Sequence, residues 1–293
     1  MDYLIAFLYA LQSVYGPLDL RLLADGLIHR FDVPGDKPGR RNGWYVLHAN
    51  GIAYGAFGSW NRGDCYTWTS RAPADQREAD HLRQQMEQAR RQREAEQRQR
   101  QQAAAEYARR LRRAGRSPDP GHRYLTTKGC RHYNLRQLGD MLLVPLYYAG
   151  QLVNLQRIHP DGSKRFLSGG RVKGCYSPIG RLERGKPLYI CEGYATGATL
   201  HENTGHPVAC AMNAGNLLAV GRQLQRQHPD SLLVIAGDND RQTESEGKGN
   251  PGVEAANKAA AVLGCAVVLP IFPPDAPLAL SDFNDLANWR AGR

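Results

Sequence analysis

From Pro187 onward, apolar runs of strand length alternate with stretches of helical length. The runs PLYICE, PVACAM, SLLVIAGD and AVVLPI are separated by helical patterns at about residues 196–203, 217–227 and 252–263. This succession leaves few folds open, because strand, helix and next strand in one sheet close as a right-handed parallel crossover. A parallel sheet covered by helices is therefore expected from residue 182 onward. In such sheets ligands bind just beyond the carboxyl ends of the strands.

Carboxylates fall at those ends. PLYICEG closes on Glu192 and a glycine, LLVIAGDND closes on Asp238 and Asp240, and SDFNDL, after AVVLPI, offers Asp282 and Asp285. With a side-chain period of two, Asp238 and Asp240 face the same way while the chain stays extended. Carboxylates so close repel one another unless a cation lies between them. Mg²⁺ suits such a set, since it binds through a few carboxylates, water and substrate phosphates. An Asp-x-Asp by itself is more often a turn or a helix cap than a metal site; the order of Glu, then Asp-x-Asp, then a further acidic pair favours the metal. After Asp240, SEGKGNPGVEAANKAAA gives a loop entering a helix, where backbone N–H groups and Lys248 are placed to face phosphate. A flexible loop before a capped helix is the alternative reading of the same residues.

Upstream of residue 182 the chain falls into three further segments. Residues 117–181 contain the strand patterns MLLVPLYY and QLVNLQRI and form a basic, β-rich lobe. Between Ala74 and Ala114 there is no Gly or Pro, and Gln, Arg, Glu and Ala dominate. These are strong helix formers, and the helix could reach about 60 Å. Apart from Leu82, Met86 and Ala89 it lacks an apolar stripe, so residues 74–116 are expected to be a solvated arm or helical linker. From Arg77 to Arg116 twelve arginines face six acidic residues.

Residues 1–73 are expected to hold a small β module. Asn50-Gly51 has the type I′ hairpin chemistry, and Asn61 to Asp64 supply a second turn. Trp44, Tyr45, Tyr54, Phe57, Trp60, Tyr66 and Trp68 interleave with Lys37, Arg40, Arg41 and Arg62. Most of these aromatics serve as the core of the sheet, leaving one or two to stack on unpaired bases. The opening MDYLIAFLYALQSVYG has no basic flank and is interrupted by Gln12, Ser13 and Gly16. It reads as a docking helix, not as a signal peptide or membrane span.

The formal charge of +10 favours a polyanionic partner, nucleic acid ahead of an anionic membrane. The six cysteines are scattered without a C-x-x-C pair, which implies reduced thiols and no zinc; Cys130 and His132 lack a second pair to complete four ligands.

The ordered Glu192 and Asp238-x-Asp240 resemble the Toprim domain of DnaG-type primases, topoisomerases and some nucleases. The stretch MLLVPLYYAGQLVNLQRIHPDGSKRFLSGGRVKGCYSPIG is similar to the section of DnaG-type primases just before Toprim. By that likeness Arg157, Arg165 or its neighbour Lys164, and Lys173 take basic positions that contact template or nucleotide. SDFNDL resembles the last acidic motif, matching at Asp282 and departing in spacing from the cellular enzymes at Asp285. There is no leading zinc ribbon. HRFDVPGDKPGRRNGWYVLHANGIAYGAFGSW, KRFLSGGRVKG and ICEGYATGATL look closer to the Toprim primases of bacteriophages and conjugative plasmids.

The resemblance implies an α/β Toprim sheet, Rossmann-like, preceded by the basic lobe, the helical linker and the N-terminal module. It implies a nucleotidyltransferase, a DNA primase of the DNA-directed RNA polymerase type, that makes short RNA primers from ribonucleoside triphosphates on single-stranded DNA. Mg²⁺ or Mn²⁺ would be held by Glu192, Asp238, Asp240, Asp282 and Asp285, the first three being catalytic. It further implies the cytoplasm of a bacterium, with the gene on a phage or mobile element. A replicative helicase is left open as a partner, while the chain's end soon after the last acidic motif makes a fused helicase or helicase-binding tail unexpected. Two alternatives remain: a Toprim nuclease using the same metal cluster, and a non-catalytic protein that coats single strands.

Overall fold

The computed structural model describes residues 2–36, 38–49, 51–60 and 62–292, and the chain divides into two units, Met1–Glu96 and Gln97–Arg293. Lys37, Asn50 and Asn61, which figure in the expected basic rim and hairpin turns, lie outside the described residues.

In the first unit, α1 (Tyr3–Tyr15) is capped by Asp2, whose side chain accepts from the Leu4 N–H. It presents Phe7, Leu11 and Tyr15, four residues apart, as one buried stripe. The stripe lies on an antiparallel sheet of β1 (His29–Phe31), β2 (Gly43–His48), β3 (Tyr54–Ser59) and β4 (Asp64–Thr69), paired in chain order. Cross-strand register puts Tyr45 opposite Phe57 and Phe57 opposite Tyr66. Phe7 meets Tyr45, Phe57 and Trp68 edge-on at 5.1–5.9 Å between ring centroids, a geometry that adds to simple burial. Of the seven aromatics singled out above, only Trp60 and Tyr66 are exposed, at 52% and 41%. The docking helix and aromatic core are both present.

The long helix α2 (Gln76–Ala114) runs for 39 residues, but it is not a solvated arm throughout. Within the first unit Leu82 packs with Ile52 and Tyr54, and Met86 lies against them. Within the second unit Ala108 is buried with Leu143, Leu155 and Leu167, flanked by Leu111. Ala104, Ala108 and Leu111 recur at helical spacing. Counting polarity overlooks such a stripe, because alanine lets the helix approach closely while adding little hydrophobic signal.

The second unit begins with α3 (Arg123–Lys128), followed by an antiparallel meander of β5 (Arg136–Leu138), β6 (Met141–Tyr148), β7 (Gln151–Ile158) and β8 (Lys164–Phe166). Ala149 and Gly150, at φ 47° and 76°, close the β6–β7 hairpin, as a two-residue type I′ turn requires. Both faces of the meander are covered. Leu143 and Leu155 face α2, while Leu142, Val144 and Ile158 join the core beneath the second sheet.

That second sheet has the order β13-β12-β10-β11-β9. Its strands are β9 (Ser177–Ile179), β10 (Pro187–Cys191), β11 (Val208–Cys210), β12 (Leu232–Ala236) and β13 (Ala266–Val268). All pair in parallel except β9, which runs antiparallel to β11 and is drawn from residues upstream of 182. Five helices accompany it: α4 (Tyr194–Thr204), α5 (Leu217–Gln227), α6 (Arg241–Ser245), α7 (Pro251–Leu263) and α8 (Phe283–Arg290). Leu188, Ile190, Leu233 and Ile235 meet α5 and α7, whereas Cys191, Cys210 and Ala236 meet α4. Helices on both faces make the sheet doubly wound, as the strand–helix alternation requires. No helix among the described residues is long and apolar enough to cross a membrane.

The contact between α4 and the sheet is close enough to test. A Cβ on Gly197 would lie 2.3 Å from Cys210 Sγ and 3.2 Å from Cys191 Sγ. Gly197→Ala is expected to destabilise the fold by about 1–3 kcal/mol through overpacking. A thermal melt unchanged from the parent would show that α4 can draw back from the sheet.

Candidate active site

β10 and β12 are hydrogen-bonded neighbours with Cys191 opposite Ala236. One residue beyond the first strand stands Glu192; two beyond the second stands Asp238. Their carboxylates therefore emerge from adjacent strands at the same edge of the sheet. Both are half-buried, and Glu192 Oε1 and Asp238 Oδ1 are shut off from solvent without a hydrogen-bond partner. Desolvation, with Asp240 and Asp282 nearby, pushes the Glu192 pKa up to about 7, against the opposing pull of the Ala214 amide. Desolvation, then Glu192, Asp282, Asp240 and Asp285, push Asp238 up to about 8. Two orphaned carboxylate oxygens in a field of like charge leave room for a cation.

The other acids are held by protein groups. Asp240 Oδ2 accepts the Gly252 N–H at 2.8 Å. Asp282 caps α8, accepting the Asp285 N–H at 2.7 Å through Oδ1, and accepts Thr196 Oγ1 at 3.0 Å through Oδ2. Asp285 accepts the Ser281 N–H at 3.2 Å and pairs with Lys128 Nζ at 3.3 Å. Among the described residues no three His, Cys, Asp or Glu side chains already surround a point that an ion could take. The five acids are thus brought to one edge, where Glu192 and Asp238 each keep a buried oxygen without a hydrogen-bond partner. These are hard donors of the kind Mg²⁺ accepts.

Strand alternation sorts the basic residues. Arg157 pairs with Arg165 and Ile158 with Lys164. Ile158 belongs to the face under the parallel sheet, so Lys164 shares that face and Arg165 and Arg157 take the opposite one. Of the two neighbours left open by the sequence, Lys164 is the one within electrostatic reach of Asp282 and Asp238. Burial of its ammonium end and the nearby Lys128 lower its pKa against that pull, although the side chain as a whole keeps exposed surface. Its Nζ also lies 5.5 Å from the Tyr124 ring centroid.

Lys248 does not match its expected role. It is exposed and paired with Glu246 at 2.7 Å. The N-terminus of α7 is also engaged, because Asp240 takes the Gly252 N–H and the Asn250 side chain takes that of Val253. The anion cradle read from this loop is therefore filled by the protein's own carboxylate and amide. Lys173 is exposed, on a loop held by a buried side chain. Asn216 accepts the Gly174 N–H at 2.7 Å and donates to the carbonyls of Val172, Cys175 and Ala211.

Several supporting residues gave no signal in the sequence. Lys128, in the last turn of α3, joins the cationic side of the site. Asn284 donates to the Lys128 carbonyl at 2.6 Å and to Thr199 Oγ1 at 2.9 Å, tying α3, α4 and α8 together. Asn250 donates to Asn239 Oδ1 at 2.9 Å and accepts the Asp240 N–H at 2.9 Å, which fixes the Asp-x-Asp turn. Met212, two residues beyond β11, holds φ at 71° while its N–H donates to the Glu192 carbonyl at 2.7 Å. A left-handed methionine at the carboxyl edge is a local strain of the kind concentrated at functional sites.

Residues 187–291 match the Toprim domain family. Two curated proteins of Escherichia coli, both DNA primase TraC, are similar to this chain, one 35% identical over 265 residues and the other 34% over 261. Each match covers 86% of this chain but only 24% and 18% of the relatives, so the chain spans about a quarter or less of their length. Among solved structures, the DnaG primase catalytic domain bound to ssDNA aligns at a TM-score of 0.44 with 12% identity, over 68% of this chain and 77% of that one.

The raised carboxylate pKa values have a measurable consequence. Between about pH 4 and pH 8 the folded protein keeps a proton on Asp238 that the unfolded chain has lost, so stability falls as pH rises through that window. Without divalent ions, Asp238→Asn should raise Tm by a few degrees at pH 8, a gain of about 1–2 kcal/mol, and by much less at pH 5. A gain independent of pH would mean that Asp238 is not desolvated among other acids.

Proposed function

We propose that this Toprim-domain chain, a relative of DNA primase TraC, synthesises short RNA primers on single-stranded DNA for plasmid or phage replication. The observation that carries this reading is the pair of unpartnered carboxylate oxygens on Glu192 and Asp238 with the Lys164 ammonium within electrostatic reach of Asp238. The site joins hard acceptors for a divalent cation to a cationic group for phosphate, which nucleotidyl transfer needs and simple strand binding does not.

Glu192 and Asp238, joined by Asp240 and Asp282 once those side chains exchange their present partners, would hold Mg²⁺ or Mn²⁺. Such ions supply Lewis-acid stabilisation of the phosphoryl oxygens and lower the pKa of the attacking hydroxyl. The chain's own residues then have distinct tasks. Lys164, with Lys128 behind it, holds and orients the triphosphate of the incoming ribonucleotide. Thr196 fixes Asp282, and Asn250 fixes the Asp238–Asp240 turn, so the acceptors sit on braced backbone. Beside a cation Glu192 stays ionised, which favours a ligand role over proton uptake. Lys173, on its Asn216-braced loop, contacts template or nucleotide. In the N-terminal module, exposed Trp60 and Tyr66 are candidates for stacking on unpaired bases.

Asp238→Asn should abolish primer synthesis on a single-stranded template with Mg²⁺ and ribonucleoside triphosphates while preserving strand binding; retained synthesis would reject the assignment. Fragmentation of labelled DNA by Mn²⁺ and protein without nucleotides would redirect the reading to a nuclease. The two faces of the meander give a second test. Lys164→Ala should lower turnover at saturating template roughly 10- to 100-fold, the weight of a charge-assisted contact of about 1.5–3 kcal/mol. Arg165→Ala should leave turnover within about threefold, and equal losses from both would overturn the assignment of Lys164 to the catalytic face.

A further inference from the structure

A second concentration of positive charge lies on the other side of the β5–β8 meander. Arg109, Arg112 and Arg113 of α2, with Gly115, Arg136 and Leu152, line a hollow of about 710 Å³. Its lining holds four guanidinium groups and no carboxylate. None of the four has an acidic partner among the described residues: Arg109 reaches the Leu152 carbonyl at 3.4 Å and Arg112 the Asn134 carbonyl at 2.9 Å. The ion pairs of Arg83 and Arg90 lie in the first half of the same helix, where Asp80, Glu87 and Glu94 are available.

The hollow is built on fixed backbone. Arg116 and Gln137 exchange both backbone hydrogen bonds at 2.9 Å, so the chain leaving α2 is paired to β5. Gly115 makes that approach possible, since a Cβ there would lie 2.9 Å from the Arg136 Cβ. From Arg136 the register continues through Leu143 and Arg157 to Arg165, one row on the α2 side of the sheet. Arg157 Nε in that row is buried with no acceptor. The row spans about 14 Å at the usual strand spacing, and residues 109–114 cover about 8 Å of helix packed on the same face. Cations gathered without counter-charge over such a length match a polyanion. At about 3.4 Å per charge along one strand, the length takes several phosphates in succession, more than one triphosphate presents.

We propose that this arginine hollow is a nucleic-acid backbone site, distinct from the carboxylate edge and lying on the opposite face of the meander. It holds the phosphates of single-stranded DNA without reading bases, since no aromatic side chain lines it. The identity of the strand rests on the primase reading; the site itself requires neither metal nor turnover.

The test is the salt dependence of binding, measured by fluorescence anisotropy of a labelled oligothymidylate with the full chain in EDTA. Replacing Arg109, Arg113 and Arg136 together by Gln should weaken binding roughly tenfold or more near 0.1 M salt. It should also reduce the slope of log K against log salt by about 2, at about 0.7 per lost phosphate contact. The triple Lys variant should keep the parent slope. Circular dichroism and Tm verify that each variant is folded. If the triple Gln variant does not fold, Arg113→Gln carries the test, with an expected drop of about 0.7. An unchanged slope in a folded Gln variant overturns the site. So does competition by ATP, or by polyglutamate at matched charge, as effective as that of unlabelled oligonucleotide: the first outcome would assign the hollow to free nucleotides, the second to anions in general. Asp238→Asn should keep the parent slope while losing synthesis, so failure of the primase reading and failure of this site appear in different measurements.

Discussion

The structure turns on the side-by-side pairing of β10 and β12. Their parallel ladder, with Ile190 opposite Ile235 and Cys191 opposite Ala236, is apolar to its last rung. The next residues are Glu192 on one strand and Gly237 and Asp238 on the other. Folding the core therefore obliges two carboxylates to emerge together where water is scarce. The sheet can form only if their repulsion is met by protonation or by a counter-ion, and the upward shifts of both groups report that conflict. Burying hydrocarbon in the rest of the sheet supplies the free energy against which the conflict is held.

Around this pair the protein places neutral hydrogen-bonding side chains. Asn216, Asn250 and Asn284 are all nearly inaccessible to solvent; Asn216 and Asn284 join segments distant in sequence, and Asn250 ties the Asp-x-Asp turn to the start of α7. An amide can donate and accept at once, so one side chain serves several backbone groups without adding charge beside the acids. Lys128 and Lys164 supply the positive charge from outside the parallel sheet, one from α3 and one from β8. The meander thus contributes to the same edge although it shares no strand with the parallel sheet.

Much of this organisation was legible in the sequence because it depends on period and order. The spans Met141–Tyr148, Gln151–Ile158 and Leu217–Gln227 were bounded as observed, since long apolar alternation and amphipathic spacing are strong local signals. The succession Glu192, Asp238-x-Asp240, Asp282 located the carboxyl edge for the same reason. What escaped was short or decided by packing. α3, α6 and α8 have 6, 5 and 8 residues, too few turns to establish a period. The burial of Ala108 depends on a sheet some forty residues later, and Lys248 carried the right charge in a loop that turned it toward Glu246. Whether Lys164 or Arg165 faced the acids could not be read from composition at all, because the register of β8 against β7 decides it.

That last feature bears on how the edge strand can vary. β8 is only three residues long, and its two cations, Lys164 and Arg165, are adjacent and point to opposite faces. A lengthening or shortening of the 159–163 turn by one residue would exchange them. Either arrangement leaves an ammonium or a guanidinium against the acids and the other cation toward α2. The dipeptide makes the electrostatics of both faces tolerant of an indel that would invert a strand of ordinary alternation, and the cost of such a change would fall on Phe166, whose ring would have to find a new neighbour.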